Sequence, residues 1–250
     1  MPSPDAAVFV SAHHDDAVLS CGGVIAARPG SNVITVFSSG PPHVDPLPGW
    51  DLSCGYFTPG DNVVAIRRQE DDNALALLGA QGQGLGLWPA QYRVASAATK
   101  PGASALMSRL RRRVQGSSKL EHEVTQRLAE SFKRIVANTW LLPLGVAHPD
   151  HGLTTKAALT LVRRHPSTRW IVYEDLPYAR ESQAQLEAAR RRVEAAGFRL
   201  EPIVLCQHHD PGIKQRAIAC YQSQLRGLGD RLESALASHE RYHELVRNPA

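Results

Sequence analysis

The sequence lacks any run of about 18 consecutive apolar residues, the length that a membrane-spanning helix needs. Its opening residues, Met1-Pro2-Ser3-Pro4-Asp5, carry no basic cluster, and the apolar run Ala6–Val10 is too short for a signal peptide. Both absences predict a cytoplasmic protein without a membrane span. Cysteine is scarce: Cys21, Cys54, Cys206 and Cys220 form no C-x-x-C pair and read as reduced thiols. No glycine-rich phosphate loop follows the first predicted strand, because Gly22-Gly23 falls inside a helical pattern, which argues against nucleotide binding. Aromatic residues make up only 6% of the chain, and none is interleaved with its one basic cluster, Arg109, Arg111, Arg112 and Arg113. That cluster reads as a solvated helix face or loop, so no nucleic-acid partner is expected. The overall balance, 28 Lys+Arg against 24 Asp+Glu, is only mildly basic.

What is present is ample apolar residue for a core, 43% of 250 residues, with no repeat and no low-complexity linker to divide it. A single domain is expected. Ala6–Ala12 reads as a buried strand, followed by a helix from about Asp16 to Arg28, and Asn32–Phe37 as a second strand. Residues 39–61 hold five prolines and four glycines, a long loop whose Trp50, Tyr56 and Phe57 favour a packed lid. A helix over 62–79 stops at Gly79, and a loop-rich stretch runs to about Ser118. The second half alternates regularly: helix 120–137, strand 139–144, helix 152–164, strand 168–173, helix 183–196, strand 199–206, helix 212–224, then a helical tail through Arg247. Alternating strands and helices imply an α/β fold, a Rossmann-like, mostly parallel sheet with helices on both faces. Sites in such sheets form at the carboxyl ends of the strands.

Two polar clusters stand at such ends. Ser11-Ala12-His13-His14-Asp15-Asp16 follows the first strand, and His148-Pro149-Asp150-His151 follows the strand over 139–144. With 11 His in the chain, H-x-D-D arises by chance in roughly two or three of a hundred such sequences, and H-P-D-H in roughly one or two of a thousand. Their joint placement is the stronger signal. Imidazoles and carboxylates converging on one crevice suit a catalytic zinc with one position left for water, and an adjacent carboxylate suits removal of that water's proton. Asp15 and Asp16 lie side by side for these two tasks.

On these residues the chain resembles the PIG-L/LmbE-like zinc-dependent N-deacetylases, whose A-H-P-D-D-E signature appears here as Ala12-His13-His14-Asp15-Asp16-Ala17 and whose H-P-D-H signature is intact at His148–His151. Arg67-Arg68-Gln69-Glu70 and Lys214 followed by Tyr221-Gln222-Ser223-Gln224 extend the likeness over residues 6–225. The resemblance implies one zinc per chain on His13, Asp16 and His151, with Asp15 as general base. It gives His148 the task of stabilising the oxyanion or protonating the leaving amine, and Arg67 a substrate contact. It also implies the activity, removal of an N-acetyl group from an amino sugar or sugar conjugate. His14 replaces the signature's proline and Ala17 its glutamate; neither change removes a ligand or the base.

Blander readings stand beside these. Asp15 and Asp16 also suit helix N-caps, His148 and His151 also suit loop histidines, and Arg67 with Glu70 also suits a helix-surface pair. Trp50 is either a sugar contact of the lid or loop packing, and Glu174-Asp175 either a substrate contact or a helix cap. His14 and His208-His209-Asp210 read as neighbours of the crevice, not ligands. Two rival functions remain at this level: a zinc amidohydrolase acting on another acylated metabolite, and a non-catalytic binding protein that keeps the fold.

Overall fold

Seven strands form one sheet in this computed structural model, which describes residues 5–41, 47–58, 60–93, 118–205, 211–237 and 239–248. In chain order they are β1 (Val8–Ser11), β2 (Asn32–Thr35), β3 (Gln81–Gly84), β4 (Thr139–Pro143), β5 (Arg169–Tyr173), β6 (Phe198–Ile203) and β7 (Tyr242–Arg247). The spatial order is β3-β2-β1-β4-β5-β7-β6. The first five strands of that order run parallel, and β7 is antiparallel to both β5 and β6.

Strands buried on both faces read as near-continuous apolar runs, and the alternation of side chains divides each between two cores. Val8 and Val10 enter one core while Ala7 and Phe9 enter the other. Trp140 and Leu142 separate from Leu141 in the same way, as do Trp170 and Val172 from Ile171 and Tyr173. The first core is closed by α4 (Ser118–Arg134), α5 (Pro149–Arg164), the short α6 (Tyr178–Glu181) and α7 (Gln183–Ala195). The second is closed by α1 (Asp16–Ala26), α3 (Val63–Leu77) and α8 (Pro211–Ile218). The α/β architecture with helices on both faces therefore matches the expectation from the sequence. None of the described helices is long and apolar enough to cross a membrane.

Four expectations need correction. The tail expected to be helical through Arg247 instead ends in β7, because both its edges find partners: Tyr242 pairs with Tyr173 and Ile203, and Glu244 with Ile171 and Glu201. The helix expected over 212–224 is broken at Tyr221, whose ring turns into the core and whose hydroxyl donates to Asp71 and to the His14 carbonyl. It resumes as α9 (Gln222–Leu228), followed by α10 (Asp230–Ala237). The loop-rich stretch after Gly79 contains β3, an exposed edge strand whose Gln-Gly-Gln-Gly sequence gives no apolar alternation to read. The lid segment carries a short helix, α2 (Gly49–Cys54), docked on α9. Residues 42–46 and 59 of that segment lie outside the described residues, as do Arg109–Arg113, Cys206 and His208–Asp210.

Candidate active site

The sheet order reverses between β1 and β4: from β1 the chain steps to β2 and β3 on one side, and the later strands lie on the other. Ligands of open α/β sheets bind outside the carboxyl ends of the strands at such a switch point. The loops after β1 and β4 are the two polar clusters of the sequence, so this topology sets them against each other. After β1, the Ser11 hydroxyl donates to the His13 carbonyl at 2.5 Å and accepts from Ala17 N–H at 3.1 Å, fixing the turn into α1. After β4, Gly145 has φ +86°, and a Cβ there would lie 2.5 Å from Thr155 Oγ1, so only glycine fits. Ala147 then takes a left-handed φ of 61°, a strained setting for a residue with a side chain, and the chain enters α5 with His148 at its cap.

Asp16 is the meeting point. Its Oδ2 lies 3.1 Å from His13 Nδ1 and 3.0 Å from His151 Nε2, and it accepts the His13 backbone N–H at 2.7 Å. The second nitrogen of each ring is held from behind by another carboxylate: His13 Nε2 lies 3.1 Å from Asp150 Oδ2, and His151 Nδ1 lies 2.7 Å from Asp175 Oδ1. Asp150 also accepts from Ala90 N–H and from Arg93, and Asp175 from the Gly145 and Val146 N–H groups. His148 completes the cluster, with donor nitrogens of His13, His148 and His151 all within 4.8 Å of one another. Its Nδ1 accepts the Asp150 backbone N–H at 3.2 Å.

Electrostatics follow from this packing. Burial disfavours a charged His13, but hydrogen bonds to Asp150 and Asp16 outweigh it and push the pKa up to about 9. Burial opposes charge on His151 too, and the Asp16 and Asp175 carboxylates raise its pKa well above the ordinary value. Asp16 is held well below the usual carboxylate range, because His151 and His13 overcome its burial. His148 goes the other way: burial and then the neighbouring imidazoles lower it to about 3, so the ring is neutral. Asp15, raised to about 6 by burial and by the Asp16 charge, stands at the N-cap of α1 without making a capping bond. Asp15 thus holds the N-cap position that the sequence allowed, but its side chain does not cap the helix.

A cavity of about 730 Å³ opens over this cluster, and His13, Asp15, Asp16, His148, Arg67 and Trp50 all line it. Arg67 reaches the wall from α3, paired with the buried Asp51 of α2 at 2.7 Å. It is not a surface partner of Glu70, which instead accepts from Ser223 N–H and Oγ at the start of α9. Glu174 is not brought to the cavity. Its carboxylate is buried under Arg180, Arg190 and His243, and the adjacent Asp175 takes the place beside the histidines. His14 joins Asp71 at 3.0 Å, consistent with a neighbour of the crevice. Asp150, Asp51 and Tyr178, whose ring meets that of His151 edge-on at 5.1 Å, were assigned no role from the sequence. For Asp150 the signal was available, since it sits inside the H-P-D-H cluster.

The PIG-L family model, described as GlcNAc-PI de-N-acetylase, matches residues 8–162 and so takes in both clusters. The chain belongs to the PIG-L family. A 2'-N-acetylparomamine deacetylase of Streptomyces fradiae is 31% identical over 198 residues, 76% of this chain. The match spans 63% of that relative's length, less than two thirds. A deacetylase–teicoplanin complex from the teicoplanin biosynthesis pathway superposes with a TM-score of 0.70 at 25% identity, covering 98% of this chain and 100% of the other. The A40926 pseudoaglycone deacetylase shares the fold with a TM-score of 0.70 at 24% identity, covering 99% and 100% of the two chains. This PIG-L member is thus matched along almost its whole length by solved folds.

Proposed function

We propose that this protein is a metal-dependent N-deacetylase, with zinc as its metal, acting on an N-acetylated amino sugar or sugar conjugate. One observation carries the reading. His151 Nε2 is buried and 3.0 Å from Asp16 Oδ2, yet makes no hydrogen bond among the described residues. Ligand atoms about 2.0–2.2 Å from a tetrahedral zinc stand roughly 3.3 Å apart, close to the 3.0 and 3.1 Å separations around Asp16. The donor set fits as well: two imidazoles and a carboxylate, with each imidazole backed by a further carboxylate as metal-binding histidines commonly are. His13, Asp16 and His151 would hold the ion.

His148 is placed differently. With Nδ1 accepting a backbone N–H, its neutral ring carries the proton on Nε2, so neither nitrogen offers a free lone pair to a metal. It suits a hydrogen-bond donor. When bound, the ion supplies Lewis acidity, polarising the amide carbonyl and easing deprotonation of water. Asp15 takes the proton of the attacking water, which its place on the cavity wall allows. His148 Nε2–H donates a hydrogen bond to the oxygen that gains charge, and the proton that Asp15 has taken from the water passes to the departing amine. Arg67, held by Asp51, contacts substrate hydroxyl or anionic groups from the cavity wall.

The amide and the sugar are supported by the family and by the deacetylase relatives. The test is metal content together with release of amine from N-acetylated amino sugars of varied acyl length. About one zinc per chain and turnover with the acetyl compounds are expected. Failure to bind zinc would overturn the reading, and turnover only with longer acyl groups would replace the substrate.

A further inference from the structure

The chemistry proposed above makes no use of the part of the cavity lining where α2 meets α9. Trp50 lines the cavity there, and its indole is fixed from two sides. Its Nε1–H donates to Gln224 Oε1 at 2.9 Å, Gln224 Nε2 donates to Ser223 Oγ at 3.0 Å, and Ser223 Oγ donates to Glu70 Oε2 at 2.6 Å. The chain of bonds runs from the ring to the middle of α3. The other edge of the ring lies on the backbone of α9: a Cβ at Gly227 would sit 3.0 Å from Trp50 Cη2 and 2.8 Å from Cys54 Sγ. Asp51, next in sequence, is fully buried and holds α2 through Arg67, Tyr92 and Gln91. The indole is therefore ordered before any ligand arrives.

An indole fixed at a cavity wall is a stacking face whose ordering cost is already met. The volume of about 730 Å³ falls in the upper half of the roughly 300–1,000 Å³ range that encloses drug-sized ligands, more room than a single acetylated sugar ring fills. The helix α9 that seats Trp50 lies beyond residues 8–162 matched by the family model. We propose that Trp50 forms a second subsite, in which its ring stacks on the apolar face of a second ring of the substrate. The preferred substrate is then at least a two-ring glycoconjugate, acetylated on the ring at the histidine cluster. This rests on the deacetylase reading for which ring carries the acetyl group, but not for the binding itself.

The test is calorimetric titration of the zinc-loaded Asp15→Asn protein, so that no ligand is consumed, with N-acetylglucosamine and with N,N'-diacetylchitobiose. The disaccharide is expected to bind about tenfold more tightly, and Trp50→Ala to remove that advantage while leaving monosaccharide affinity and zinc content unchanged. Trp50→Phe, which keeps a ring but loses the Gln224 bond, retains part of it. Gly227→Val, which pushes the ring off its seat, behaves like Trp50→Ala. No preference for the disaccharide, or an equal loss for both sugars in Trp50→Ala, overturns the proposal. A Trp50-dependent preference in a protein whose parent releases no acetate keeps the subsite and refutes the deacetylase reading.

Discussion

His151 Nε2 and Asp16 Oδ2 stand 3.0 Å apart in a buried pocket without a hydrogen bond between them. Asp175 fixes the far side of the same ring at 2.7 Å, so the imidazole is held with Nε2 toward Asp16. A cation between the two atoms satisfies both at once. Asp16→Ala and His151→Ala are therefore each expected to lose bound zinc, from about one per chain to a trace. Elemental analysis of the dialysed proteins checks this, and full retention by either variant removes that residue from the ligand set.

Asp15 makes no capping bond, so its removal takes away a proton acceptor and little else. Asp15→Asn is expected to keep its zinc and its melting temperature while kcat falls by roughly 10²–10⁴. A variant retaining most of its kcat would show that another group takes the proton.

Asp175 touches no predicted substrate group, yet it orients His151 and ties down the loop at Gly145 and Val146. Asp175→Asn should weaken zinc affinity by roughly 10–100-fold without abolishing it. Competition with a chelator of known affinity measures the change; unaltered affinity would make Asp175 a loop anchor alone.

Glu174 predicts a pH dependence of stability. Burial would raise its pKa, but hydrogen bonds from His243, Arg190 and Arg180 bring it from 4.5 down to about 2. The unfolded chain thus takes up a proton more readily than the folded one, so this stabilisation is complete above about pH 4.5 and disappears as the pH falls toward 2. Glu174→Gln should cost about 3 kcal/mol at pH 7, as when one partner of a buried ion pair is removed. The gap to the wild type should narrow below pH 4.5. Urea denaturation at pH 7 and pH 3 decides it, since a gap independent of pH would mean that the carboxylate charge is not what stabilises.

The sequence by itself determined the α/β class and the two clusters at the ends of β1 and β4. Both are local: apolar runs report strands buried on both faces, and His and Asp following such runs sit at strand ends whatever the rest of the chain does. The short strand β3 and the terminal strand β7 were not legible. Gln-Gly-Gln-Gly has no alternation, and Tyr242–Arg247 becomes a strand only because two partners distant in sequence flank it. Only the tertiary structure decided that His13 is backed by Asp150, 137 positions away, and that Trp50 is tied to Gln224, 174 positions away. It also chose between the neighbours Glu174 and Asp175. Successive side chains at a strand end point to opposite sides, so one of the pair faces the histidines and the other faces Arg180 and Arg190. The sequence holds both carboxylates, and the packing of β5 against β4 and β7 selects which one meets His151.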